Sequence, residues 1–135
     1  MRVLLDNDVN LDFVLARQPF FVEAEQIFIA IAQNKFEAYI ASISAINIYY
    51  IGRKEIGRDS VLLELEKLLK LVKVCPVDSS NLQAALTSPI TDYEDAVQHE
   101  CAIAENLAAI VTRNTKDYKN ATVKVYSPSE FLQIL

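Results

Sequence analysis

The sequence predicts an α/β fold: a mainly parallel central sheet of about five strands with helices on both faces. Three observations lead there. Short apolar, β-rich runs alternate along the chain with stretches whose apolar residues recur at helical spacing, the pattern of strands joined by crossover helices. Glycine and proline are scarce, 2 and 4 among 135 residues, so regular elements with short connections are expected. A 52% hydrophobic content at this length is enough for one buried core, and residues 1–135 are read as a single domain.

The elements follow in order. Residues 2–6 are apolar and β-rich, a first strand that runs into Asp6, Asn7 and Asp8. Beyond Pro19, the residues Phe21, Ala24, Ile27, Phe28 and Ile31 mark an amphipathic helix over about 20–33. Residues 36–41 form a short strand, and Ser42 or Ser44 caps a helix carrying Ile46, Tyr49, Tyr50 and Arg53. Gly57 closes that region. Asp59 and Ser60 open the next helix, with Val61, Leu62, Leu65, Leu68 and Leu69 turned inward and Glu66 and Lys70 paired outside. Residues 71–77 are a strand, and Asp78-Ser79-Ser80 caps a helix that Pro89 ends. A longer helix covers about 91–106, a buried strand 108–112, and a last strand 123–126. Ser127-Pro128-Ser129-Glu130 combines a cap serine, a proline at the first helical position and a glutamate three residues past the cap.

Composition narrows the function classes. The formal charge is −5, which disfavours unspecific attraction to polyanions, so any nucleic-acid role needs a local basic patch. Cys75 and Cys101 are too few and too far apart for a disulfide framework or a zinc site, and read as core cysteines of a reducing cytoplasm. A strand beginning at about residue 2 leaves no room for a signal peptide. The longest uncharged stretch, residues 38–52, contains Ser42, Ser44 and Asn47 and is too short and polar to span a bilayer. No nucleophilic triad and no glycine-rich phosphate loop is present.

Polar residues gather where strands end and helices begin. Asp6 ends the first strand; Thr112, Arg113 and Asn114 end the fourth, with Asp117 three residues on. Asp92 and Asp95 open the long helix and share a face. In a parallel sheet these ends lie on one edge, beyond the carboxyl ends of the strands, where such folds bind ligands. Each residue also has a plainer reading. Asp6, Asp8 and Asp92 suit helix caps, Asp95 gains from the helix dipole, and Asn114 and Asp117 suit turns. His99, four residues past Asp95, reads as structural.

Four of these segments together resemble the PIN-domain nucleases. Leu4-Leu5-Asp6-Asn7-Asp8-Val9 is similar to the family's opening strand and acid. Ser44-Ala45-Ile46-Asn47-Ile48-Tyr49-Tyr50 is similar to its second motif, Asp92-Tyr93-Glu94-Asp95-Ala96 to its third, and residues 110–118 to its terminal Thr-Arg-Asp motif. The order is right, and the resemblance covers essentially the whole chain. It implies a PIN-like three-layer α/β fold and a metal-dependent ribonuclease of the type found as the toxin half of bacterial toxin–antitoxin pairs. This sequence departs from the family at Asn47, usually Glu, and at Asn114, usually Asp; Asn7 and Asp8 also alter the opening. Those departures motivate an alternative, a catalytically weakened module that binds RNA or a protein partner without cleaving. An unrelated flavodoxin-like domain, whose sheet looks similar from sequence, is a third.

The resemblance implies Asp6 and Asp95 as catalytic residues and ligands of Mg²⁺ or Mn²⁺, with Asp8, Asn47, Asp92, Asn114 and Asp117 in support. Mg²⁺ takes oxygen ligands, keeps several waters and often uses only one or two carboxylates. Two bare carboxylates about 4 Å apart repel by roughly 4 kcal/mol at an effective dielectric near 20, so such a pair invites a cation. Arg113, Lys116, Lys119 and Lys124 surround the single acid Asp117 near the last motif, while Arg53, Lys54 and Arg58 follow the second. Arg113, Lys116, Lys119 and Arg53 are the expected contacts to RNA phosphates, and Tyr49, Tyr50 and Tyr118 are candidates to stack on bases. The apolar faces of residues 20–33 and 43–51 exceed what a small sheet covers, so a homodimer is expected, besides a small antitoxin protein as partner. Light scattering at micromolar concentration reads the former.

Overall fold

A computed structural model of residues 1–135 has five strands in one sheet, in the order β3-β2-β1-β4-β5, with every neighbouring pair parallel. The chain runs β1 (Arg2–Leu5), α1 (Asn7–Val14), α2 (Phe21–Ala32), β2 (Glu37–Ala41), α3 (Ser42–Ile56), α4 (Arg58–Leu71), β3 (Lys73–Cys75), α5 (Ser79–Leu86), α6 (Tyr93–Ala104), β4 (Ala109–Val111), β5 (Lys124–Tyr126) and α7 (Pro128–Ile134). A 3-10 turn at Thr115–Tyr118 lies between the last two strands.

Alternation along the strands builds three layers. Val3, Leu5, Ala38, Ile40, Ala109 and Val111 face one cluster, completed by residues of α1, α2, α3, α4 and α7. Leu4, Tyr39 and Ile110 face the other, under α5 and α6, with Ala96, Val97, Cys101 and Ala102 against them. Successive side chains of a strand point to opposite faces, and burial on both faces is why the central strands read as unbroken apolar runs. β1 lies at the centre, with Leu4 opposite Tyr39 on one side and Ile110 on the other. The connection from β1 runs toward β2 while that from β4 runs the opposite way, toward β5, which opens a crevice beyond the carboxyl ends of β1 and β4.

Several local expectations change. The segment after Asp6 is a helix, α1, whose polar residues Asn10 and Asp12 are fully buried. Asn10 Nδ2 donates to the Leu5 carbonyl at 3.2 Å, and Asp12 pairs with Arg113. Neither Ser42 nor Ser44 caps α3: the Ser42 hydroxyl instead accepts the Val77 N–H at 3.1 Å, and Ser44 is buried. α4 starts at Arg58 directly after Gly57, ahead of Asp59 and Ser60, and its buried stripe is narrower than expected: Val61, Leu65 and Leu68 face inward, while Leu62 and Leu69, a step of the helix around from them, are exposed. α6 begins at Tyr93, with Asp92 as its cap. Val22, Ile29, Ile46 and Tyr50 leave apolar surface exposed on α2 and α3, and no helix is long and apolar enough to cross a membrane.

Candidate active site

Asp6 sits at the switch point of the sheet and does two jobs. Its backbone N–H extends the β1–β4 ladder to the Val111 carbonyl at 2.9 Å. Its side chain caps α1, with Oδ1 accepting the Asn7 N–H at 2.7 Å. The same oxygen accepts Gln98 Nε2 at 2.7 Å, and Oδ2 accepts the Thr112 hydroxyl at 2.7 Å. A carboxylate offers about four acceptor sites, so these bonds fix the rotamer and leave roughly one lone pair, on Oδ2, for another partner. Asp6 is 5% exposed.

Asp95 enters from α6. The capping carboxylate of Asp92 accepts the Asp95 N–H at 3.0 Å, which sets the first turn of the helix. Tyr118, the buried last residue of the 3-10 turn, donates its hydroxyl to Asp95 Oδ1 at 3.3 Å and accepts from Gln98 Nε2 at 3.4 Å. Gln98 thus ties Asp6 through Tyr118 to Asp95. This corrects the expectation for Tyr118: at 2% exposure it has no face to offer a base. Burial, with Asp6 and Asp95 nearby, pushes its phenol well above the usual range.

Asp8 faces the same edge. Its Oδ2 accepts the Arg113 N–H at 3.0 Å and Asn114 Nδ2 at 3.3 Å, and lies 3.3 Å from the Thr112 hydroxyl. Asn114 is therefore a donor to an acid in this structure. Asn47, on α3, is a donor too: its Nδ2 bonds Glu94 Oε1 at 3.0 Å. Glu94 was not anticipated from the sequence, although it adjoins Asp95. Gln98 was missed as well, although it is the polar residue three positions past Asp95 on a face otherwise built of Ala96, Val97, Cys101 and Ala102.

These side chains line one cleft of about 270 Å³: Asp6, Asn7, Asp8, Asp92, Glu94, Asp95, Asn114 and Asp117, with no hydrophobic residue. None of its six carboxylates is ion-paired to a Lys, Arg or His nitrogen. Mutual repulsion and burial show in the proton affinities. Asp8 is pushed up to about 7, by burial first and then by Asp6. Asp95 is likewise pushed up to about 7 by burial and by Asp6 and Asp92, against the hydrogen bond from Tyr118. Glu94 is raised by burial, Asp6 and Asp92.

The donor set suits a hard divalent cation. Every candidate donor is oxygen, the carboxylates carry no ion pair, and two oxygens of residues lining the cleft, Asn7 Oδ1 and Asp8 Oδ1, are buried without a hydrogen-bond donor. Such orphaned acceptors cost about 1–3 kcal/mol each unless something satisfies them. No three acidic, histidine or cysteine side chains close into a finished metal cage. That openness agrees with Mg²⁺ chemistry, in which waters fill most positions beside one or two carboxylates.

The basic residues divide. Lys116 and Lys119 line a groove of about 540 Å³, polar except for Pro89, that shares Asp92 and Asp117 with the acidic cleft. Arg113 is engaged elsewhere: its guanidinium forms two bonds to buried Asp12 and stacks 3.8 Å over the Phe20 ring. Arg53 lies over the rings of Tyr49 and Tyr50, at 5.9 and 5.3 Å, away from the residues lining the cleft. His99 accepts the Thr122 N–H at 3.0 Å, a structural contact.

Comparison with known proteins places the fold and the family. A search of curated proteins returned no match. Among solved structures, a chain of the DNA-bound VapBC complex of Salmonella typhimurium superposes with a TM-score of 0.71, at 14% identity over 95% of this chain and 98% of its own. A chain of VapBC2 from Rickettsia felis, bound to a fragment of its promoter, gives 0.69 at 17% identity over 94% and 98%. VapC20 from Mycobacterium tuberculosis, a sarcin–ricin loop cleaving toxin, gives 0.68 at 9% identity over 87% and 95%. At such identities these likenesses establish the fold. The family model described as PIN domain matches residues 2–116, and the chain belongs to the PIN-domain nuclease family.

Proposed function

We propose that this protein is a metal-dependent endoribonuclease that hydrolyses RNA phosphodiester bonds and acts as the toxin of a cytoplasmic toxin–antitoxin pair. The observation that carries the reading is the meeting of Asp6 and Asp95, 89 positions apart in the chain, across one unneutralised acidic cleft and joined through Gln98 and Tyr118. The toxin role draws on the similar structures, several of which are toxin–antitoxin complexes. It implies a small antitoxin protein as partner, and the exposed apolar residues of α2 and α3 suit pairing with a second copy.

When bound, Mg²⁺ or Mn²⁺ supplies Lewis acidity at the scissile phosphate and makes a water nucleophilic. The chain's own residues do the rest. Asp6 and Asp95 would hold the cation, with Asp8, Asp92 and Asp117 around them and Asn47 and Asn114 supporting the neighbouring carboxylates. The bonds from Asn7, Gln98 and Thr112 keep Asp6 in one rotamer, so its free lone pair is aimed before any ligand arrives. Tyr118 does the same for Asp95. Lys116 and Lys119 lie where phosphates flanking the cleavage point would run, and offset the repulsion between an RNA strand and the carboxylates.

RNA cleavage tests this directly. Cleavage should require Mg²⁺ or Mn²⁺, stop with EDTA, and be lost in Asp6→Asn and Asp95→Asn. Cleavage that survives EDTA or both substitutions would sink the mechanism.

A further inference from the structure

We propose that Glu94 would serve the cation in this cleft as a third carboxylate, the three not converging into a cage until the cation draws them together, and that Asn47 is the positioning residue that holds it at the cleft. The inference rests on the metal-dependent reading and adds a residue pair to it.

Glu94 occupies the second position of α6, one residue before Asp95, and lines the cleft together with Asp6. A glutamate in the exposed first turn of a helix is ordinarily free to sample several rotamers in water, and holding it costs side-chain entropy. Here Asn47 reaches across from α3 and donates Nδ2 to Oε1 at 3.0 Å. The identity of that donor matters. A lysine or arginine would hold Glu94 by neutralising it, whereas a carboxamide holds it and leaves its full negative charge in the cleft. No cationic side chain is paired with Glu94, and Oε2 has no protein partner among the hydrogen bonds of the structure. Anchoring one oxygen and leaving the other open is the arrangement of a ligating carboxylate fixed by an outer partner.

A second, independent observation points to a ligand at the same place. Asn7 is more than nine-tenths buried and lines this cleft, yet its Oδ1 has no donor. A structure that leaves an oxygen unsatisfied beside six unpaired carboxylates is one completed by a cation and its waters. Helix geometry explains why Glu94 contributes. Positions two and three of α6 both project from the first turn, and Asp92 as cap fixes that turn against the cleft, so one helix start delivers two carboxylates.

The experiment is calorimetric titration of the full chain with Mn²⁺, comparing wild type, Glu94→Gln, Asn47→Ala and the double variant, with Asp6→Asn as reference. Glu94→Gln should weaken Mn²⁺ binding by about tenfold or more, in the range seen when partners of a metal site are lost. Asn47→Ala should weaken it less, and should add nothing in the Glu94→Gln background, because it acts only through that carboxylate. Wild-type affinity in Glu94→Gln overturns the ligand assignment. A further loss in the double variant overturns the positioning role. If Asp6→Asn abolishes binding while Glu94→Gln leaves it intact, the inference fails and the metal-dependent reading stands. No Mn²⁺ binding by the wild type removes both.

Discussion

Asp8 and Asp95 each hold a proton far more tightly than a free carboxyl does, and that has a consequence for stability. Both are pushed up to about 7 by burial and by the neighbouring Asp6. A carboxyl whose folded-state affinity for protons is raised binds more protons folded than unfolded. Its stabilising effect is therefore complete below the unfolded value of about 3.8 and is lost as pH rises toward 7. The metal-free protein should accordingly melt at falling temperature as pH rises from about 4 to about 7. A divalent cation acts oppositely, since it binds the ionised, folded cleft and stabilises by mass action. Adding Mn²⁺ should raise the melting temperature more at pH 8 than at pH 5, measured by circular dichroism in the presence and absence of EDTA. A flat pH profile without metal would mean that these carboxylates are not crowded as described.

The junction of α3 and α4 shows how much one backbone position can decide. Gly57 has φ 84° and ψ 160°, a region essentially reserved for glycine, and it lets α4 turn back so that Gly52 packs against Val61. A Cβ at Gly57 meets nothing within 4 Å, so a substitution there reports backbone strain without a clash. Gly57→Ala should cost about 1–3 kcal/mol in urea unfolding, with α3, and hence Asn47, less firmly placed. An unchanged midpoint would show that this linker relaxes freely. Sequence periodicity made most elements legible because their apolar faces are regular: α2, β1, β4 and the capped starts of α5 and α7 lie within a residue or two of where spacing puts them. α1 was legible only as the helix that a cap at Asp6 or Asp8 would start, because Asn7, Asp8, Asn10 and Asp12 interrupt its apolar pattern; Asp12 is buried through Arg113, 101 positions away. The start of α4 was misplaced for a related reason, since Asp59 and Ser60 look like caps while Gly57 supplies the turn. In the site, Asp6 and Asp95 could be singled out from their places at element ends. Glu94 and Gln98 could not, because their partners, Asn47 and Asp6, are 47 and 92 residues distant.

A chain of net charge −5 that acts on a polyanion must confine its attraction to a small area, and the structure sets how small. Of the cations expected from the sequence to meet phosphate, Arg113 is bound to Asp12 and stacked on Phe20, and Arg53 lies over Tyr49 and Tyr50. Lys116 and Lys119 remain, in the polar groove that joins the acidic cleft at Asp92 and Asp117. Neither is ion-paired. If those two carry the electrostatic grip, log Kobs for a single-stranded RNA should fall with log salt at a slope of about −1.4, from roughly −0.7 per neutralised phosphate. Removing either lysine by substitution with alanine should reduce the slope by about 0.7, and removing both should bring it near zero. Fluorescence anisotropy with the Asp95→Asn variant, which spares the RNA during titration, reads these slopes directly. A steep slope that persists without Lys116 and Lys119 would place the phosphate path elsewhere, and would require Arg113 to leave Asp12 or Arg53 to leave its tyrosines when RNA binds.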